Sequence, residues 1–206
     1  MASDCQNTPL PNLYSAARKQ LIDSLKEPNR IPYSPLDAFS LLFAERLDVG
    51  IQRRVAVLYA TARDELRGNN EKLYENQYEY EKPPLLQNGS IYVFRDARDP
   101  EHIIKIGSTR QRVDRRLSQW RAKLGDDSGE SVFLLFSYRT CGAALAEAIV
   151  HALLSCSWVP NRYNTRTGAR LVEYYRVYDL DALNFLCQSV IRHVDYTFEK
   201  KKNRRH

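Results

Sequence analysis

Long apolar runs are missing from this sequence, and none approaches the roughly 20 residues that a membrane-spanning helix needs. The first 12 residues contain neither the basic nor the apolar segment of a secretory signal. Cysteine is scarce, and the four cysteines have no CxxC or Cys/His spacing typical of structural zinc (Cys5, Cys141, Cys156 and Cys187). These absences predict an intracellular protein with reduced thiols, no structural zinc and no membrane association.

Positive charge is in excess. The 206 residues include 31 Lys and Arg against 25 Asp and Glu, which gives a net charge of +6 and a pI of about 9.1. This balance permits a polyanionic partner without defining one. Part of the excess lies in residues 199–206, EKKKNRRH, which we interpret as a basic tail that binds phosphate or directs nuclear import. The tail favours a nuclear location.

Composition and periodicity divide the chain into five segments. Residues 1–12 are predicted to be flexible, and residues 13–70 carry three apolar stripes at helical spacing. The three helices form either a small bundle or a subdomain packed on the rest of the chain, and they offer a surface for a protein partner. Residues 71–88 are predicted to be a linker because tyrosines, charges and a Pro-Pro pair show little periodicity. A domain over residues 89–198 and the basic tail complete the chain.

The second helix of the N-terminal region has a clear start signal. Ser34 followed by Pro35 is typical of an N-cap and a first-turn proline. The apolar pattern continues through Leu47, and Gly50 is expected to end this helix.

Residues 89–107 predict a β-hairpin. Two apolar runs flank a polar stretch with the turn signal Asp99–Pro100. Alternation divides the first strand into two faces, one with Tyr92 and Phe94 and the other with Ile91 and Val93. In the second strand Lys105 is a charge among apolar residues. Gly107 is expected to end this strand and to let another group approach its backbone.

The segment after the hairpin predicts a helix with one apolar and one basic face. Its apolar residues recur at helical spacing and are expected to face the core (Val113, Leu117, Trp120 and Leu124). Polar and basic residues lie on or near the neighbouring stripe, namely Arg110, Arg112, Arg115, Arg116, Gln119 and Lys123. Only Asp114 opposes this charge, so phosphate contact is favoured over a merely solvated face. Nucleic-acid contact is also predicted at an irregular loop, where Arg162 and Arg166 are interleaved with aromatic residues.

A strand and two helices follow. Residues 131–138, SVFLLFSY, are almost continuously hydrophobic and predict a central strand buried on both faces. In the alanine-rich helix that follows, Glu147 and His151 stand one turn apart. A carboxylate and an imidazole in an apolar helix are costly unless they are exposed or used, so a surface pair and a functional pair both remain open. An edge strand at residues 171–179 and a closing amphipathic helix complete the pattern.

Taken in order, these elements resemble the GIY-YIG nuclease superfamily. The elements are SIYVF, IIKIG, the helix with Arg116, the buried strand, the helix with Glu147 and His151, and VEYY. The resemblance covers residues 89–179 and is closest to the branch described as phage-type DNA-binding domains, which is also seen in fungal proteins. The matching residues are Tyr92 in the first motif, Gly107 in the second, the family arginine Arg116, the metal-binding glutamate Glu147, and His151 one turn later. The sequence departs from the pattern at Ser90, which replaces the first glycine, and at Lys105, which replaces the second tyrosine.

The resemblance implies an α+β fold, with a small antiparallel β-sheet flanked by helices and preceded here by the helical N-terminal region. It implies a catalytic set of Tyr92, Lys105, Arg116, Glu147 and His151, with Glu147 as the ligand of Mg²⁺ or Mn²⁺. Tyr92 is a poor base unless cations lower its pKa, which Lys105, Arg115 and Arg116 are placed to do. Folding is expected to bring the set to one concave basic surface on which Glu147 is the only carboxylate.

Three functions are compatible with this pattern. The first is a metal-dependent endonuclease that hydrolyses DNA phosphodiester bonds, with RNA as the alternative substrate. The second is a DNA-binding module that keeps the scaffold without cutting, an option that Lys105 leaves open. The third is a protein-interaction scaffold built on the N-terminal helices. Glu147 favours the nuclease, because a carboxylate facing phosphate weakens simple binding.

Overall fold

A computed structural model of the chain describes residues 13–27, 31–43, 47–67, 84–160, 162–163, 168 and 170–202. The predicted flexible N-terminus, most of the predicted linker, Arg166 and the end of the predicted basic tail lie outside these residues. The described part contains six α-helices and a four-stranded antiparallel sheet. The predicted α+β class, with a small antiparallel sheet flanked by helices and a helical N-terminal region, is confirmed.

The N-terminal region forms three helices, α1 (Leu13–Lys26), α2 (Pro35–Phe43) and α3 (Val49–Arg67). As expected, Ser34 caps α2, and its Oγ accepts a hydrogen bond from the Asp37 amide at 3.2 Å. The predicted end of α2 at Gly50 is wrong, because Gly50 lies in the first turn of α3. The Asp48 carboxylate accepts hydrogen bonds from the amides of Gly50 and Ile51 and so fixes the start of α3 there.

The sheet has the strand order β3-β1-β2-β6, formed by β1 (Gly89–Asp96), β2 (Ile103–Thr109), β3 (Val132–Thr140) and β6 (Tyr174–Arg176). β1 and β2 are the predicted hairpin, with Tyr92 opposite Gly107. Gly107 does not end its strand as expected, since β2 continues to Thr109. The prediction of a central β3 is also wrong, because β3 is an edge strand whose middle residues are only partly buried. Its apolar run is needed because helices cover parts of both its faces.

The two faces of the sheet build two apolar clusters. Ile91, Val93, Ile104 and Ile106 pack with helices α5 (Ala143–Leu153) and α6 (Leu180–Lys202). Tyr92 and Phe94 on the opposite face pack with Trp120 of α4 (Val113–Leu124) and with Tyr174. The alternation predicted for β1 is therefore confirmed. A short hairpin of β4 (Arg162–Tyr163) and β5 (Arg170–Leu171) precedes β6.

The N-terminal helices pack on the sheet and its helices α4 to α6, which together are called the sheet domain below. They share its larger apolar cluster. Residues of α1, α2 and α3, such as Leu21, Phe39 and Val55, join those of α5 and α6 in one apolar core. The Arg18 guanidinium also donates to the Asp179 carboxylate, at 2.8 Å, immediately before α6. Of the two arrangements expected for these helices, the structure has the one packed on the rest of the chain.

Candidate active site

Tyr92 lies with its ring against the backbone of Gly107. A Cβ atom placed on Gly107 would come within 2.5 Å of the Tyr92 hydroxyl, so only glycine leaves room for the ring. The phenolic oxygen accepts hydrogen bonds from the Trp120 indole at 3.0 Å and from Nε of Arg116 at 3.4 Å. With two donors on its oxygen, Tyr92 is oriented so that its own proton can be donated to a third group. The predicted approach of another group to Gly107 is confirmed, and that group is Tyr92.

The electrostatics of Tyr92 differ from the sequence-based expectation. Burial raises the pKa of Tyr92, and the hydrogen bonds from Arg116 and Trp120 oppose this shift without reversing it. Of the three cations named for lowering this pKa, Arg116 does act in that direction, but burial outweighs it. Tyr92 is a neutral phenol at neutral pH, suited to donating a hydrogen bond.

Lys105 is an ammonium buried in the sheet. It is 1% exposed, and its Nζ donates to the Glu173 carboxylate at 2.6 Å and to the Val172 carbonyl at 3.0 Å. It also lies 4.7 Å from the centre of the Trp120 ring. Burial lowers the pKa of Lys105, and the charge of Glu173 opposes that shift. An ammonium this deeply buried cannot contact a substrate, so Lys105 positions Glu173 instead of meeting a phosphate directly.

Glu173 is the residue that the sequence analysis missed. It precedes β6 with a left-handed backbone (φ 68°), which is uncommon for a residue other than glycine. Its carbonyl accepts from the Ile106 amide at 3.2 Å and so continues the pairing with β2. The available signal was the acidic residue in LVEYY, which could have been matched to Lys105 as an opposite charge on a neighbouring apolar strand.

Glu147 extends from α5 towards the end of β2. Its carboxylate accepts a hydrogen bond from Ser108 Oγ at 2.6 Å. Burial raises the pKa of Glu147, the Ser108 hydrogen bond opposes this, and the charge of Glu173 raises it further. Two carboxylates close together repel each other, and a cation between them relieves that repulsion.

His151 lies one turn after Glu147 and faces the same cluster. Burial lowers the pKa of His151, although Glu173 and a backbone hydrogen bond to Ile106 oppose the shift. The imidazole is therefore neutral at neutral pH, which is the form that binds metals. Its Nε2 is buried and has no hydrogen-bond partner among the described residues.

Together, Glu147, His151 and Glu173 form a group that could hold a metal ion. One potential ligand atom from each residue lies within 4.8 Å of the other two. The donor set and the unpartnered imidazole nitrogen fit a divalent cation. Two carboxylates suit Mg²⁺, and the imidazole makes the set equally suitable for Mn²⁺. The expectation that Glu147 is the only carboxylate here is wrong, because Glu173 accompanies it.

Direct contacts connect three of the five predicted catalytic residues, and short distances connect the other two. Arg116 donates to Tyr92, Trp120 joins Tyr92 to Lys105, and Lys105 is paired with Glu173. Glu173 then leads to Glu147 and His151. β2 lies at the centre of this arrangement, because Lys105 and Gly107 face α4 while Ser108 faces α5.

The basic residues predicted to bind nucleic acid lie mainly on and before α4. Arg110, Arg112, Arg115, Gln119 and Lys123 are exposed, and Arg116 is half-buried. Gln119 accepts from Arg116 Nη1 at 2.9 Å, and Lys123 lies 4.5 Å from the centre of the Trp120 ring. Arg112 is paired with Asp114 at 2.8 Å in an exposed contact. The face therefore adjoins Tyr92 and Trp120, as a phosphate-binding surface beside the site would.

Arg162 has a different environment from the α4 residues. Its Nη2 donates to both carboxylate oxygens of Asp99 at 2.6 Å, and its guanidinium lies 4.4 Å from the centre of the Tyr174 ring. Its side chain is only 21% exposed. Asp99 thus already neutralises the charge that was predicted to meet nucleic acid, while Arg166 lies outside the described residues.

The fold and the site define an α+β domain that carries a candidate metal group beside a basic helix. Residues 89–188 match the family model of the T5orf172 domain. The match covers slightly less than half of the chain, starts with β1 and contains every residue of the site described above. No curated protein and no solved structure is significantly similar to the chain. Among the described residues, no helix is long and apolar enough to cross a membrane.

Proposed function

We propose that this protein is a metal-dependent endonuclease of the GIY-YIG type that hydrolyses phosphodiester bonds in DNA. The observation that carries the proposal is the group of Glu147, His151 and Glu173, whose ligand atoms lie within 4.8 Å of one another. Contacts of Glu173 with Lys105, and of Lys105 with Trp120, connect this group to the basic helix α4. A protein that only binds nucleic acid gains nothing from two carboxylates next to its cationic surface. A T5orf172 domain is itself linked to nuclease-type folds, which supports a nucleic-acid-related role.

Glu147, Glu173 and His151 would hold one Mg²⁺ or Mn²⁺ ion. When bound, the metal supplies positive charge to the phosphoryl oxygens and lowers the pKa of a coordinated water. Lys105 keeps the Glu173 carboxylate in place, and Ser108 does the same for Glu147. Both carboxylates are thus oriented before a substrate arrives, which reduces the reorganisation needed during the reaction.

Arg116 would act on the phosphate, and Tyr92 would position the Arg116 guanidinium. The Arg116 guanidinium is fixed by Gln119 and Tyr92, and a guanidinium offers five N–H donors for phosphoryl oxygens. Tyr92 is itself only 3% exposed, so its hydroxyl would hold the Arg116 guanidinium in place and would not meet the phosphate directly.

Glu147→Gln tests the proposal because it keeps the size of the side chain and removes its charge. The full-length parent is expected to cut supercoiled, branched or single-stranded DNA when Mg²⁺ or Mn²⁺ is present, and EDTA should stop it. The variant should cut at least about 100-fold more slowly, a decrease typical of removing a key electrostatic group. It should bind DNA as tightly as the parent or more tightly, since a charge that repels phosphate is gone.

The matched control is Glu101→Gln, an exposed glutamate in the β1–β2 turn that should leave cleavage unchanged. Equal cleavage by the parent and by Glu147→Gln would overturn the metal mechanism. A parent that binds DNA but cuts none of the three substrates with either metal would instead be the non-cleaving binding module.

A further inference from the structure

A cleft of about 510 Å³ lies between α3 and α5. From α3 it is lined by Arg53, Arg54, Val57 and Leu58, and from α5 by His151 and Ala152. Its volume is within the range of pockets that hold small organic ligands. The cleft is therefore large enough for a group the size of a nucleotide base.

The cleft adjoins the candidate metal group through a shared side chain. His151 lines the cleft and also belongs to the group with Glu147 and Glu173. The two sites therefore meet at His151. α3, which lies outside the family match, thus forms one wall of a cleft beside the site.

The lining of the cleft combines apolar side chains with two arginines. Val57 contributes an aliphatic side chain that is 62% exposed. Arg53 and Arg54 are exposed, and no acidic side chain among the described residues forms an ion pair with either of them. In contrast, Arg67 at the end of the same helix has Asp64 as a partner at 3.9 Å. A ligand that covers this surface must bring both an apolar face and negative charge.

We propose that the cleft receives one unpaired nucleotide of the nucleic acid that is cut at the neighbouring site. The base lies against Val57, Leu58 and Ala152, and its phosphates meet Arg53 and Arg54. A base held in a continuous duplex cannot enter, because its faces are covered by the stacked neighbours and its edge by its partner. The inference rests on the proposed function and adds to it a substrate class: bulged, branched or single-stranded nucleic acid.

Binding is measured with the full chain carrying Glu147→Gln, so that the DNA stays intact. The probes are two duplexes of equal length, one with a single unpaired 2-aminopurine and one fully paired. The bulged duplex is expected to bind about tenfold more tightly than the paired one. This ratio corresponds to a binding free energy of about 1.4 kcal/mol for the one base that enters the cleft. The 2-aminopurine fluorescence should change on binding.

Two variants and one control define the outcome. Arg53→Ala with Arg54→Ala, and separately Val57→Asp, should abolish the preference for the bulge and the fluorescence change. Arg63→Ala, an exposed arginine on α3 that does not line the cleft, should leave both intact. All the replaced side chains are exposed, so the variants should fold.

Failure of this inference can be separated from failure of the proposed function. A parent that cuts DNA but binds both duplexes equally would overturn the cleft assignment alone. A preference for the bulge that survives both cleft variants would also overturn it. If the unmodified protein neither binds nor cuts any DNA or RNA, both proposals fall.

Discussion

At the scale of single residues, Arg162 is expected to stabilise the fold, because its charge is paired with Asp99 and is not free at the surface. Arg162 joins the β4–β5 hairpin to the β1–β2 turn, and both side chains of the pair are mostly buried, 21% and 17% exposed. Arg162→Ala leaves the Asp99 carboxylate unpaired, so we expect it to lower the free energy of unfolding by about 2 kcal/mol. Chemical denaturation followed by circular dichroism measures this change.

The control is Arg112→Ala, whose pair with Asp114 is exposed on both sides and should contribute nothing measurable. If the Arg162→Ala protein instead keeps full stability and binds nucleic acid more weakly, then Arg162 contacts nucleic acid, as its loop sequence predicted.

The site residues differ in how much the sequence alone could predict about them. Glu147 and His151 were identified because both stand on one helix, where spacing of four residues places them on one side. Glu173 was missed because its position depends on the pairing of β6 with β2. This pairing brings Glu173 to Lys105, which lies 68 residues earlier in the sequence. The direction of the Tyr92 pKa shift could not be predicted from the sequence either, since burial, its largest cause, is a property of the folded chain.

At the scale of elements, α4 and the residues before it are expected to carry the phosphate contacts. Arg110 and Arg115 are exposed, and no ion pair links either to an acidic residue in the described part of the chain. Arg110→Ala with Arg115→Ala should weaken binding to unrelated DNA sequences alike. It should also flatten the slope of log K against log salt by about 0.9 for each phosphate that the protein no longer neutralises.

Arg139→Ala removes an exposed arginine near the end of β3, outside α4, and serves as the control. Fluorescence anisotropy titrations at several salt concentrations supply the slopes. An unchanged slope in the double variant, or an equal decrease with Arg139→Ala, would contradict the assignment of α4 as the binding face.

Element types were easier to predict from the sequence than their places in the fold. The β1–β2 hairpin and all six helices follow from local periodicity and turn residues. The position of β3 at the edge does not, because its apolar run reflects helices packing on it and not strands on both sides. The end of α2 was misplaced because an Asp48 side chain, not a glycine, determines where the next helix begins.

At the scale of the whole molecule, the N-terminal helices and the sheet domain share one apolar core, so we expect them to fold as one unit. Leu21, Phe39 and Val55 are buried in the core that α5 and α6 also form. A chain restricted to residues 84–206 would expose the matching surfaces of α5 and α6. We expect it to aggregate or to lack a cooperative unfolding transition, since each exposed large apolar side chain costs about 1.5–3 kcal/mol.

Gel filtration and near-ultraviolet circular dichroism of the truncated chain test this expectation. A monomeric product with native aromatic signals and a cooperative melt would establish residues 89–198 as an independent domain, as the sequence had suggested. The parent chain under the same conditions provides the reference.

The left-handed backbone of Glu173 implies a stability–activity trade-off at the candidate site. Glutamate in this conformation is strained by about 1–2 kcal/mol, and Lys105 is kept charged in an apolar interior. The double variant Lys105→Met with Glu173→Gly removes both the backbone strain and the charge buried among apolar side chains. It should therefore melt at a higher temperature than the parent. It should also lose Mn²⁺ affinity in calorimetric titrations. A double variant that melts lower, or that binds Mn²⁺ unchanged, would mean that the ion pair serves the fold and not the chemistry.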